Sequence, residues 1–437
     1  MVNSDFLIPR DLKHIWHPCS QMKDFEQAPP LIVHQAKGSY LYTDKGMLID
    51  AISSWWCKSL GHGHPEIIAA IKSQLSSFEH VISANTTHEK IAELGERIAD
   101  ITQNQHVFFA SDGSSAVEIA MKLALHAKQL QGSTANYFVS LKNSYHGETF
   151  ATLSVSDVGI YKKPYNSISV PCHFLQDIPY VSGKDDAHWQ SCESHWQATQ
   201  TVLDSIKDKT CAIIVEPLIQ GAGGMLCYSA AYLKKLGQYC KENDIFLIAD
   251  EIMTGLGRTG KWLACEHAEV TADLICLSKG LTSGTLPLSC VSVDHSIYEL
   301  FYNDYDTGRS FLHSHTYSGN AVAVSAALAT LKIMQRENTT LKAENLGQVM
   351  EKNLHDIASL TGRLKNIRRL GAIVAGDLIN PEQKRVGFEL YKRGIENGAL
   401  LRPLGNTLYW LPPLNCDEKT IGNLAEITLK SIKEAYT

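Results

Sequence analysis

Lys279 and Asp250 are two residues whose type and placement could do chemistry together. Lys279 follows the apolar run Leu274, Ile275, Cys276, Leu277 in "DLICLSKGLTSG", and Asp250 closes "IFLIAD". Short apolar runs bounded by turn residues read as buried strands, so each run delivers a charged group to its end. A lone strand-end lysine is ordinarily a solvated cap, and a lone buried carboxylate ordinarily answers a nearby cation, for which Arg258 would serve. As a pair they fit another task. An amine that bonds an aldehyde, and an acid that keeps a pyridine nitrogen protonated, are what pyridoxal 5′-phosphate needs from a protein.

Such a cofactor also needs a cradle for its phosphate and a plate for its ring. "SDGSSAVEIAMK" (111–122) places Gly113 and Ser114 where a strand turns into a helix. Free backbone N–H groups and the positive end of the helix dipole favour a dianion there. "NSYHGET" (143–149) follows another apolar run and offers Tyr145 as the aromatic plate. Read separately, the first is ordinary helix capping and the second a common half-buried tyrosine.

The elements that must position these groups follow from the periodicity. "HVFFASD" (106–112), "YFVSLKN" (137–143), "CAIIVEP" (211–217), "IFLIADE" (245–251) and "LICLSK" (274–279) read as strands. Between them, Val117, Ala120, Met121, Ala124 and Leu125 form one face of a helix over 114–130, and 230–243 repeats the pattern. Strand and helix in alternation predict an α/β fold with a mainly parallel sheet covered on both faces. Ligands bind such sheets beyond the carboxyl ends of the strands, where Asp250 and Lys279 fall. From about 335 the texture changes to a charged amphipathic helix and shorter elements. The expected division is an N-terminal segment (1–55), a large cofactor-binding domain (56–334) and a small C-terminal domain (335–437).

Composition narrows the function. The chain has 437 residues, 44% hydrophobic and 20% charged, with a net charge of −6. Interspersed charges point to no nucleic acid and no membrane surface, and no apolar run reaches the roughly 20 residues of a span. The eleven cysteines form no CxxC pair and read as reduced thiols. The opening "MVNSDFLIPRDLKHIWHP" has no apolar signal region, so a cytoplasmic location is expected. "HGHP" (62–65) and "HSH" (313–315) lack the spacing of a metal site, and none is expected.

The ordered set resembles the class-III, or ω-type, aminotransferases of pyridoxal-phosphate fold type I. The phrases that carry the resemblance are "NSYHGET", "IVEPLIQGAGGM", "LIADEIMTGLGRTGKWLACEH" and "LICLSKGLTSG". It implies that Lys279 bonds the cofactor, that Asp250 faces its ring nitrogen and that Tyr145 lies against the ring. It implies a small α+β domain built from the N- and C-terminal segments, and a homodimer with shared sites. In that dimer "FLHSHTYSGN" (311–320) would carry His315 and Thr316 to the other subunit's phosphate.

"IWHPCSQMKDF" (15–25), "LIDAISSWWCKSLGHGHP" (48–65) and "LLRPLGNTLYWLPP" (400–413) look like the branch of that family that works in biotin biosynthesis. That resemblance implies conversion of 8-amino-7-oxononanoate to 7,8-diaminononanoate by a ping-pong mechanism, with S-adenosylmethionine as amino donor. Trp55 and Trp56 would wall the channel, and Arg402 would bind the substrate carboxylate, for which a planar guanidinium is suited. The chain departs from the family pattern at Cys19, where a tyrosine is usual, and at Ser314 and His315, where Gly-Pro is usual; Cys19 and Ser314 are placed at the substrate and His315 at the cofactor. The rival readings are another ω-aminotransferase acting on 4-aminobutyrate, ornithine or a diamine, a lysine-donor variant of the same step, an aminomutase or racemase, and a non-catalytic relative.

Overall fold

A computed structural model describes residues 4–379 and 385–437. Seven strands make its largest sheet: β1 (His106–Ala110), β2 (Tyr137–Leu141), β3 (Cys172–Leu175), β4 (Thr210–Val215), β5 (Phe246–Asp250), β6 (Leu274–Leu277) and β7 (Ser289–Val293). Their order across the sheet is β1-β7-β6-β5-β4-β2-β3. From β6 to β3 every neighbouring pair is parallel. Only β7 runs against its neighbours.

The apolar runs read as strands all enter this sheet, and β4 to β6 are buried at every residue. Helices α1 (Gly113–Leu130) and α2 (Ala230–Glu242) connect strands as the periodicity predicts. β3 and β7 were not among the runs read as strands. β7, Ser289 to Val293, carries two serines yet is wholly buried, since α1 and the helix Glu89–Thr102 pack on it; Ser292 meets the Thr102 hydroxyl at 2.6 Å.

The register sets the site. Asp250 pairs with Cys276 across β5 and β6, so Asp250 and Lys279, three residues past Cys276, leave the sheet at the same end. A second sheet joins the chain's two ends: strand Gly46–Asp50 pairs in parallel with Ala399–Leu400, with Asp50 opposite Leu400. A third, Leu364–Leu370, Ile373–Leu378 and Thr407–Trp410, is antiparallel throughout. One hydrophobic core runs through all of these, from Ile49 and Trp56 through Ile213 and Leu247 to Trp410 and Ile432.

Candidate active site

Asp250 ends β5 with its carboxylate buried, and a partner must offset the lost hydration. That partner is His146, not Arg258. His146 Nδ1 lies 2.8 Å from Asp250 Oδ2, and the amide of Ile252 donates to Oδ1 at 3.2 Å. Arg258 instead donates to the Pro412 carbonyl at 2.7 Å. Burial without a carboxylate pushes its guanidinium down to about 9. The imidazole and the backbone amide together satisfy the carboxylate at the strand end.

Lys279 follows β6 in a left-handed conformation, with φ of 38°, and its Nζ stands 4.4 Å from the centre of the Trp56 ring. Burial lowers its ammonium's pKa, and Asp250 and Glu216 oppose that shift. An amine that gives up its proton readily is suited to attack an aldehyde.

Asp112 caps α1 through its side chain, which accepts from the amide of Ser115 at 3.0 Å. Gly113 and Ser114 therefore head an 18-residue helix with amides that have no partner inside it. Two glycines let other loops close on this turn. A Cβ on Gly113 would stand 3.0 Å from the Ile252 side chain, and one on Gly147, at φ of +126°, would collide with the Ser114 hydroxyl. Tyr145 is half-buried beside them, its hydroxyl donating to Glu148 Oε1 at 3.0 Å.

Behind Tyr145 lies Glu216, the residue after β4. Its Oε2 accepts the Tyr145 amide at 2.8 Å, and its Oε1 accepts the Gly221 amide at 2.8 Å. Burial pushes its carboxyl up to about 7. The tyrosine loop is thus tied to the turn that follows β4.

The tandem tryptophans sit on an unusual backbone. Ser53, Ser54, Trp55 and Trp56 all have positive φ, between 46° and 73°, so four successive residues without a glycine run left-handed. Each such residue costs roughly 1–2 kcal/mol, and strain of this kind gathers at functional sites. The turn puts the two indoles, both lining one cavity, under different cations. Trp56 is buried, packs under Lys279 and donates from Nε1 to the Tyr409 hydroxyl at 3.0 Å. Trp55, 38% exposed, lies 4.3 Å below the Arg402 guanidinium.

That cavity, about 650 Å³, is lined by Cys19, Trp55, Trp56, Gly113, Ser114, Tyr145, Asp250, Lys279 and Arg402. Nine of the twelve site residues expected from the sequence thus meet in one place. Ser314, His315 and Thr316 do not. They lie on a separate loop, where His315 meets His313 at 3.1 Å and the Thr316 carbonyl meets His80 at 2.8 Å. Cys19 stands at the mouth, with Sγ 3.8 Å from Glu148 Oε1. A second cavity of about 500 Å³ shares Cys19, Tyr161, Arg402 and Leu404 with the first.

Sequence reasoning did not single out His146, Glu216, Glu148 or Ile252. Glu216 carried the signal that found Asp250, a carboxylate closing an apolar run. The others depend on how loops meet. Among the described residues, no group of three His, Cys, Asp or Glu side chains is placed to hold a metal.

The residues present fit pyridoxal phosphate. A helix N-terminus opened by two glycine contacts, an aromatic ring, a histidine-backed carboxylate and an amine of lowered pKa face one space. The fold and site define a pyridoxal-phosphate enzyme with its lysine after a sheet strand. The family model "Aminotransferase class-III" matches residues 22–432, and the chain belongs to that family. It is 39% identical to the adenosylmethionine-8-amino-7-oxononanoate aminotransferase of Helicobacter pylori, over 95% of this chain and 96% of that one. The crystal structure of the enzyme of that name from Methanocaldococcus jannaschii superposes with a TM-score of 0.91 at 31% identity, covering 99% of both chains. An amine transaminase from an uncultivated Pseudomonas species, in a PLP-bound form, gives 0.89 at 27% identity, covering 97% of this chain and 99% of that one.

Glu216 makes stability depend on pH in a stated direction. Its folded pKa, about 7, exceeds the ordinary 4.5, so its contribution is full below 4.5 and is lost as pH rises through 7. Urea midpoints across that window should fall less steeply for Glu216→Gln than for the unaltered chain. Equal slopes would show that Glu216 is not the group responsible.

Proposed function

We propose that this chain transfers an amino group to 8-amino-7-oxononanoate, giving 7,8-diaminononanoate in biotin biosynthesis, with S-adenosylmethionine as donor. One observation carries the reading. A single cavity is lined by both an amine and a guanidinium, each over its own indole. A long keto acid with a terminal carboxylate has that distribution of chemistry. The similarity to enzymes named for this step supports it along nearly the whole chain.

Pyridoxal phosphate, when bound, supplies an aldehyde for amines and a ring that accepts the electrons left when a proton is removed. Gly113 and Ser114 would hold its phosphate, and Asp250, backed by His146, would answer its ring nitrogen. Tyr145 and Ile252, which packs on Gly113, would pack against the ring. Lys279 would hold the aldehyde through its amine and, once freed, would serve as the base and acid that moves the substrate's α-proton. Arg402 orients the keto acid through its carboxylate. Donor and acceptor use the one cavity in turn, which makes the reaction ping-pong.

We also infer a homodimer in the cytoplasm, with Ser314, His315 and Thr316 serving the partner's site. Their loop lies outside their own cavity and carries Leu312, 89% exposed, and Tyr317, 63% exposed. Exposed Val81 and Ile82 adjoin it, so an apolar face surrounds residues whose chemistry suits a phosphate. The division at 55/56 and 334/335 belongs to the same reading. A lysine donor is the second reading: Glu148 at the mouth would accept a second ammonium, and Cys19 leaves room beside it.

Borohydride should fix the cofactor to the peptide carrying Lys279, and Lys279→Ala should lose transamination while retaining cofactor affinity through the phosphate. Label on any other peptide would overturn the assignment. Arg402→Ala should raise the KM for 8-amino-7-oxononanoate roughly tenfold to a hundredfold, the worth of a hydrogen bond to a charged group. Cofactor affinity should stay unchanged. An unaltered KM would place the carboxylate elsewhere.

A further inference from the structure

Asp50 and His62 are buried, at 0% and 9% exposure, and the mechanism above uses neither. His62 opens "HGHP", the motif that suggested a metal and received no function. Asp50 closes strand Gly46–Asp50 and accepts four hydrogen bonds. Its Oδ1 takes the amides of Ile52 at 3.3 Å and Ser54 at 3.0 Å. Its Oδ2 takes the Ser54 hydroxyl at 2.8 Å and His62 Nε2 at 2.8 Å. His62 is itself held by backbone bonds to Gly38 in both directions, at 2.8 and 2.9 Å.

These bonds converge on the segment where the chain runs left-handed. Ser53 to Trp56 contains no glycine, so local preference opposes its conformation. Such backbone persists only where its surroundings over-determine it. The surroundings here are one carboxylate, one imidazole and one serine hydroxyl, with the Tyr409 hydroxyl on Trp56 and the amides of Cys57 and Lys58 on the Ser53 carbonyl beyond them. Asp50 reaches the other end of the trough as well. It lies opposite Leu400 in the sheet, two residues before Arg402, so one residue holds the tryptophan turn by its side chain and adjoins the arginine by its backbone.

We propose that Asp50 and His62 are positioning residues, a buried latch that keeps Ser53–Trp56 left-handed and so fixes the spacing between the Lys279 end and the Arg402 end of the cavity. Substrate length is selected by that spacing. The selection rests on Arg402 being the carboxylate-binding group; the latch itself rests on geometry alone.

The test compares His62→Leu, which removes the donor, with His62→Gln, which keeps one. In the cofactor-loaded protein, His62→Leu should change the tryptophan signature in near-ultraviolet circular dichroism. It should raise the KM for 8-amino-7-oxononanoate about tenfold and narrow its preference over shorter keto acids. Cofactor stoichiometry should hold, and kcat should change less than KM. His62→Gln should restore both the spectrum and the KM. An unchanged spectrum and KM in His62→Leu, or no recovery in His62→Gln, overturns the latch. If His62→Leu does not fold, Ser54→Ala, lacking one of the four bonds, must move both quantities in the same direction by a smaller factor; no movement overturns it too. A wild-type protein that aminates no long keto acid defeats the proposed function, and the circular dichroism comparison still decides the latch.

Discussion

A carboxylate buried at a strand end has to be answered by hydrogen-bond partners, and much of this site's arrangement follows from that constraint. Asp250 meets His146 rather than a guanidinium. An arginine in that place would occupy both carboxylate oxygens in a fixed bidentate pair; the imidazole meets Oδ2 alone, and the Ile252 amide donates to Oδ1. The arrangement also releases Arg258, which reaches the Pro412 carbonyl and ties the loop after β5 to the C-terminal sheet. Because β5 and β6 are parallel and in register, the amine of Lys279 arrives beside that charge with no further device. Sheet register is therefore the first determinant of the chemistry.

The second determinant is a strained turn. Two adjacent indoles on an extended strand would point to opposite faces; on a right-handed helix they would diverge by about 100°. The left-handed turn instead places one under the amine and the other under Arg402. Cation–π contact of this kind is modest at exposed sites and stronger where water is excluded, and Trp56, 4% exposed, lies on the excluded side. Glu216 plays a comparable part for the aromatic plate, joining the Tyr145 loop to the turn after β4 through two backbone amides. The strand ends supply charge, and the loops that supply shape are fastened by buried carboxylates.

The parts of this site legible in the sequence were those with a local signature. Lys279 and Asp250 closed apolar runs, Gly113 and Ser114 stood at a strand-to-helix turn, and Trp55 and Trp56 were adjacent. What could not be read was pairing across the fold. Nothing in the spacing separated His146 from Arg258 as the answer to Asp250, because the choice depends on how the loop after β2 folds back over β5. β7 escaped notice because serines interrupt its pattern, yet they are buried with partners, Ser292 on the Thr102 hydroxyl and Ser289 on the Asp112 carbonyl. The left-handed turn is the clearest case: "SSWW" has no glycine to announce it, and its cause lies in Asp50 and His62, whose side chains converge only once the first strands have paired.

The central claim is that one cavity passes an amino group to a long keto acid, and a single-turnover acceptor half-reaction tests it most directly. Protein loaded with pyridoxamine phosphate, freed of donor, would be mixed with 8-amino-7-oxononanoate and the products resolved by mass. The account predicts one equivalent of 7,8-diaminononanoate per site, formed without any added amine. Failure to aminate that acid, with ready amination of short keto acids under the same conditions, would contradict it.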